Sequence, residues 1–419
     1  MRICLIASSQ FPIREPFAGG LESHTYALAR ALSGRGHEVA LFAAAGSDPC
    51  LDAEILAPER LELSEAARQD VGAMPETWMQ QHHAYLGLML RLADSCSSEP
   101  REFDVIHNNS LHHLPVALSP LVPAPLVTTL HTPPTPWLES AAAYAAPSAA
   151  FTAVSRATAG AWRHVVDAEV IPNGVDTHRW QPGPGGADCV WTGRLVPEKA
   201  PHLAIDAARR AGMRIALAGP AHDRGYFDAE ILPRLGPDVV YYGHVTQCEL
   251  RALVGSSAVA VVSSQWEEPY GLVAAEAMAC GTPVAACPRG GLLEIVTPET
   301  GAIAQSDSAE DLAAAILEAA AKDRSAVRAH AERDLSLERP TRSGTSPWNG
   351  WWPAMRPPTA QLSAGPPSPR AQCTPHDRLV HPSPGTRAPA PGADAGRPPG
   401  PGDAGHRTLL PPRPCGLAR

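Results

Sequence analysis

The chain has 419 residues, 44% hydrophobic and only 5% aromatic, with a formal net charge of −9. That length allows two domains, and the negative balance argues against a generic nucleic-acid surface. No run of 18 uncharged apolar residues predicts a membrane span, and nine scattered cysteines without a Cys-x2-Cys pair fit reduced thiols better than a disulfide framework or a zinc site.

The first residues, Met1 to Ala7, are too short an apolar run and too quickly polar for a signal peptide, and read as a core strand. The expected location is the cytoplasm, with peripheral attachment at the inner membrane face left open. Strands are predicted at 2–8, 38–43, 104–107, 125–130 and 150–154, then at 188–193, 213–218, 238–242, 258–263, 283–286 and 301–304. Helical patterns at 21–35, 76–94, 200–211 and 309–321 separate some of them. Fully apolar strands alternating with helices predict an α/β chain with doubly wound parallel sheets. Pro172, Gly174, Pro182, Gly183, Pro184, Gly185 and Gly186 mark an interdomain linker. The predicted organisation is therefore a Rossmann-like domain over 1–170, a linker over 171–187 and a second Rossmann-like domain over 188–339.

Residues 340–419 differ in kind. They hold 19 of the 45 prolines and nine Arg against three Asp, with no Lys, Glu, Ile, Phe or Tyr. Such a segment buries too little apolar surface to offset its ordering entropy, and is expected to be disordered. Two origins stay open: a genuine extension, or a reading frame shifted near Glu338. Ser336 to Arg339 reads as the start of a helix that stops abruptly.

Several segments carry chemistry. Gly19 and Gly20 follow the first strand at a predicted helix start, which makes a backbone anion site. The spacing is not Gly-x-Gly-x-x-Gly, so a dinucleotide dehydrogenase is weakly supported. Nearby Glu22 and His24 are candidates to face an acceptor. His131 sits just beyond the 125–130 strand, at the edge where ligands gather in open α/β sheets. His107, His112 and His113 lie beyond another strand, without the carboxylate or Cys partners a metal site needs. Arg194 and Lys199 follow the first strand of the second domain, a forked donor and a point charge suited to a diphosphate. Glu268 lies in a turn and Glu276 on a helix opening at Gly271, after the apolar run 258–262. First-turn N–H groups, here near Gly271 and Leu272, attract anions. Two carboxylates beside an anion site fit a ligand that also carries hydroxyls, and a phosphate flanked by hydroxyls describes a sugar nucleotide.

The stretch Trp266-Glu267-Glu268-Pro269-Tyr270-Gly271-Leu272 through Glu276, Gly281 and Pro283 resembles the Glu-x7-Glu signature of the retaining glycosyltransferases of family 4 (group 1 glycosyl transferases), which have the GT-B fold. Gly193-Arg194-Leu195 with Glu198-Lys199, the Gly19-Gly20 loop, Pro172-Asn173-Gly174-Val175-Asp176 and Gly290-Gly291 with Glu294 resemble further elements of that family, in its order. The resemblance covers about residues 1–339. It implies two Rossmann-like domains facing a cleft, and transfer of a sugar from a nucleoside-diphosphate sugar, UDP favoured, to an unknown acceptor such as a sugar, lipid or small molecule. It also implies donor-binding roles for Gly19, Gly20, Arg194, Lys199, His244, Val245, Glu268, Gly271, Leu272 and Glu276, and catalytic roles for His131, Arg194, Lys199 and Glu268. Glu268 would hold sugar hydroxyls and Glu276 the ribose. Without an Asp-x-Asp motif, neither a metal nor a cofactor is expected. The family's usual final helix, crossing back onto the first domain, finds no counterpart after Arg339. A catalytically impaired relative and a GT-B nucleotide-sugar epimerase therefore remain alternatives.

Overall fold

A computed structural model describes residues 1–95 and 102–338; the proline-rich segment lies outside the described residues. Two parallel sheets form. The first holds β1 (Arg2–Ile6), β2 (Glu38–Phe42), β3 (Glu54–Leu56), β4 (Val105–Asn108), β5 (Leu126–Leu130), β6 (Ala150–Ala153) and β7 (Ala168–Val170). Their order is β3-β2-β1-β4-β5-β6-β7. The second holds β8 (Cys189–Thr192), β9 (Ile215–Ala218), β10 (Val239–Tyr241), β11 (Val259–Val262), β12 (Val284–Ala286) and β13 (Gly301–Ile303), ordered β10-β9-β8-β11-β12-β13. The eleven predicted strands are all present. The two that the sequence did not reveal, β3 and β7, are the edge strands of the first sheet. Each has three residues, one of them a glutamate, so neither forms an apolar run.

Each sheet is covered on both faces by helices, which is why its inner strands are apolar throughout. β1, β2 and β4 pack one face against the long helix Glu76–Ser95 through Leu88, Met89 and Leu92. The other face meets the helix Gly20–Gly34 through Leu28 and Ala29. In the second sheet, Leu203, Ala204 and Ala207 from Pro201–Arg210 and Leu312, Ile316 and Ala319 from Ala309–Ala320 fill one side. The helix Leu272–Ala279 fills the other with Ala274, Ala275 and Met278.

In both sheets the strand order reverses next to the first strand, between β1 and β4 and between β8 and β11. Ligands of open α/β sheets bind outside the carboxyl ends of the strands at such a reversal. The Gly19-Gly20 loop and Asn109 lie beyond the first reversal, and Arg194, Lys199 and Glu268 beyond the second. Fold and sequence therefore nominate the same places.

Direct bonds tie the two halves together. The Glu294 carboxylate accepts the N–H groups of Arg156 (3.1 Å) and Ala157 (2.8 Å), at the first turn of the helix Arg156–Trp162 in the other half. Thr158 Oγ1 donates to the Pro269 carbonyl (3.2 Å), and the His244 ring meets the Phe17 carbonyl (2.8 Å). Glu294 lies on the short helix Leu292–Ile295, and its carboxylate caps a different helix. In the linker, Asp176 accepts the N–H groups of His178 and Arg179, closing the expected turn.

One expectation fails near the end of the described chain. Ser336 to Glu338 do not start a helix. Helical structure ends at Leu335, and Ser336 bridges Val175. The Leu337 N–H donates to the Val175 carbonyl (3.0 Å), a linker partner in place of the i−4 carbonyl that a helix requires.

Glu294→Ala removes an acceptor for two first-turn N–H groups. Loss of a cap costs about 1 kcal/mol, and the thermal midpoint of the purified protein should fall by roughly 2 to 4 °C. An unchanged midpoint would show that water satisfies those groups equally well.

Candidate active site

Between the carboxyl ends of the two sheets lies a cleft of about 590 Å³. Gly19, Gly20, Glu22, His24 and His131 line it from the first half, and Arg194, Lys199, Glu268, Gly271 and Leu272 from the second. Eight of the predicted site residues thus meet around one space.

The wall of the second half is built around one carboxylate. Glu268 Oε2 accepts from Lys199 Nζ (2.5 Å), Ser264 Oγ (2.9 Å) and Trp266 Nε1 (3.1 Å). Lys199 also lies 5.0 Å from the centre of the Trp266 ring, a cation–π contact. Glu268 is only 9% exposed, and a carboxylate so placed needs these partners. Its backbone is fixed by a close approach: Gly291 N–H donates to the Glu268 carbonyl (2.7 Å), and a Cβ on Gly290 would lie 2.3 Å from that carbonyl oxygen. Only glycine fits there. Gly271, at φ 93°, turns the chain into the helix Leu272–Ala279, and no side chain caps that helix start. Gly271, Leu272 and Val273 line the cleft, and the first N–H groups of a helix carry partial positive charge.

The wall of the first half is polar and buried. Glu22 and His24, on the helix Gly20–Gly34, are 5% and 6% exposed. Burial raises the Glu22 carboxyl pKa, and Arg194 acts against that rise. Burial pushes the His24 imidazole down to about 4. His131 and His107 are held well below the usual histidine range, first by burial and then by neighbouring imidazoles. His131 Nε2 bonds Asn109 Oδ1 at 2.8 Å.

Not every predicted residue reaches this space. Glu276 opens into an adjoining cavity of about 530 Å³ with Arg251, Gln247 and Arg30; the two cavities share His24 and Leu272. Burial pushes the Glu276 carboxyl up to about 8. His244 and Val245 line neither cavity, and the His244 side chain is engaged by Phe17.

Sequence reasoning missed other lining residues. Trp78 and Trp137 stand at the first-half end of the cleft beside Tyr85, His112 and His113. His113 stacks on Trp137 with ring centres 5.2 Å apart, and Trp137 remains 60% exposed. Nothing in the sequence pattern singled out the two tryptophans. Ser264 and Trp266 flank the glutamate motif and could have been found from that adjacency.

His82, His112 and His113 bring ring nitrogens within 4.8 Å of one another. The Leu114 N–H donates to His112 Nδ1 (3.2 Å). A neutral ring that accepts at Nδ1 carries its proton on Nε2, which removes that atom from a ligand set.

Comparison with known proteins agrees with this geometry. Residues 18–179 match the family model Glycosyltransferase Family 4, and residues 181–333 match Glycosyl transferases group 1. The glycogen synthase of Mycobacterium tuberculosis is 28% identical over 361 residues, covering 75% of this chain and 85% of its own. Sucrose-phosphate synthase from Thermosynechococcus elongatus superposes with a TM-score of 0.66 at 21% identity, over 81% of this chain and 96% of its own. Anabaena HepE in complex with UDP-glucose superposes with a TM-score of 0.61 at 21% identity, over 80% of this chain and 96% of its own. The fold and cleft are those of a GT-B glycosyltransferase. The chain belongs to the group 1 glycosyl transferases, glycosyltransferase family 4. Among the described residues no helix is long and apolar enough to cross a membrane.

The buried imidazoles give stability a pH dependence. In the unfolded chain His24, His107 and His131 protonate near pH 6.5, and in the fold they do so well below that. The unfolded state therefore binds more protons as pH falls from about 6.5 toward 4, and stability drops. Glu22 and Glu276, with raised values, act the opposite way but are fewer. For His24 alone the loss at pH 5 is about 2 kcal/mol. The thermal midpoint should be lower at pH 5 than at pH 7, and His24→Gln should shrink that difference. Equal differences in the two proteins would overturn the assignment of His24.

Proposed function

We propose that the protein transfers a sugar, with retention of anomeric configuration, from a nucleoside-diphosphate sugar to an acceptor held by the first half. The observation that carries this reading is the convergence of Arg194, Lys199 and the uncapped helix start at Gly271 on one cleft whose remaining walls carry carboxylates and imidazoles. Cations and helix N–H groups suit a diphosphate, and carboxylates and imidazoles suit hydroxyls. Uridine is the favoured base, since a protein of the same fold holds UDP-glucose.

In the proposed reaction the bond from the anomeric carbon to the diphosphate oxygen breaks. The leaving diphosphate gains negative charge and the sugar gains oxocarbenium character. Arg194, Lys199 and the N–H groups at Gly271 and Leu272 are prepositioned for that charge, which is the larger share of such catalysis. The acceptor hydroxyl attacks the same face that the leaving group departs from, and gives its proton to a leaving phosphate oxygen. Glu268 holds a sugar hydroxyl and at the same time fixes Lys199. Glu276 holds the ribose hydroxyls when the two cavities join around the donor. Two cations take the part that a metal ion plays elsewhere, and no cofactor is required. Trp78 and Trp137 offer flat apolar faces to the acceptor, a surface suited to a sugar ring.

Thermal unfolding with millimolar UDP, GDP, ADP and NAD tests the donor. A ligand that binds only the folded state raises the midpoint, and UDP should do so most. A flat response to all the nucleoside diphosphates would sink the proposal, and a response to NAD alone would point to redox chemistry. Lys199→Ala should lower turnover about 10²-fold or more. An unchanged rate would remove Lys199 from the mechanism.

A further inference from the structure

Behind His131 runs a buried chain of hydrogen bonds into the first sheet. His131 Nε2 lies 2.8 Å from Asn109 Oδ1. Asn109 Nδ2 lies 3.3 Å from both ring nitrogens of His107. His107 Nε2 lies 2.9 Å from Thr129 Oγ1, which lies 2.9 Å from Thr152 Oγ1. Asn109, His107, Thr129 and Thr152 are all at most 3% exposed. They come from the ends of β4, β5 and β6, adjacent strands in register, so the sheet itself sets their spacing.

At its cleft end the chain has a direction. An amide oxygen only accepts, so His131 must carry its proton on Nε2. The Asn109 amide nitrogen lies equally close to both His107 ring nitrogens, and the chain continues from His107 Nε2 through Thr129 to Thr152, with the donors along it set by the His107 tautomer. Each step is satisfied, as buried polar groups require. No described residue bonds His131 Nδ1, and His131 lines the cleft.

We propose that Asn109 is a positioning residue that holds His131 as the Nε2–H tautomer, so that Nδ1 accepts a hydroxyl of the donor sugar. This rests on the donor reading above and adds to it a residue that does not itself touch the ligand. A neutral imidazole with a fixed tautomer is a directional acceptor; an imidazolium could only donate. The titratable groups around His131 are His24 and Glu22 on the helix Gly20–Gly34, His107 on β4, and Arg194, Lys199 and Glu268 across the cleft.

Calorimetric titration of the full chain with UDP and with UDP-glucose, between pH 5.5 and 8.5, separates the two readings. UDP reports the diphosphate site, and the extra affinity for UDP-glucose reports the sugar contact. Because the terminal phosphate of UDP itself titrates at about pH 6, the extra affinity of each variant is read relative to that of the wild-type protein at the same pH. Asn109→Leu should leave UDP affinity within about twofold and lower UDP-glucose affinity about tenfold, the value of one hydrogen-bonded polar contact. Asn109→Asp keeps an acceptor for Nε2–H but stabilises the imidazolium, so its extra affinity should fall as pH drops below about 7. UDP affinity confirms the fold of each variant, and Asn109→Asp tests the proposal alone if Asn109→Leu does not fold. An extra affinity unchanged in Asn109→Leu, or pH-independent in Asn109→Asp, would overturn the role of Asn109 alone. Failure of the wild-type protein to bind UDP would overturn the donor reading beneath it.

Discussion

The Lys199–Glu268 pair is the contact on which the second-half wall depends. A flexible lysine on a short 3-10 turn would wander without a partner. Glu268 holds it at 2.5 Å. Glu268 is itself held by Ser264 and Trp266 and by a backbone carbonyl seated against Gly290 and Gly291. Each constraint points to the next, from the β11 end through the glycine pair to the lysine. The pair also balances charge where both side chains are largely buried. An isolated carboxylate at this depth would be costly, as would an isolated ammonium.

The first half solves a different problem with neutral groups. His24, His107 and His131 crowd behind the glycine loop, and burial keeps them uncharged. A positive first-half wall would compete with Arg194 and Lys199 for the diphosphate. Neutral imidazoles leave the anion to the second half and offer hydrogen bonds for hydroxyls. The cleft is thus divided by charge as well as by chain.

Much of this was legible in the sequence, for identifiable reasons. Apolar strands of parallel sheets read as runs, and all eleven predicted ones are present; β7, with a glutamate at its centre, leaves no such trace. Residues next to a strand end, such as His131, Arg194 and Glu268, could be placed because the chain itself puts them at the sheet's carboxyl edge. Contacts made across distant segments could not. Glu294 and the helix at Arg156 are separated by more than a hundred residues, and no local pattern links them. Asn109 was visible only as one of two asparagines at a strand end. Trp78 and Trp137 meet only because the helix Glu76–Ser95 and the segment after β5 fold against the same cleft. Glu276 shows the converse: its motif spacing was clear, but the cavity it enters depends on how the halves sit together.

The segment Gly290 to Glu294 does two jobs within five residues. Its glycines seat the backbone of Glu268, and its glutamate holds a helix start in the opposite half. A shift of one end of so short a segment moves the other. The seat of Glu268 and the junction between the halves therefore rest on one five-residue stretch, and a substitution within it bears on both at once.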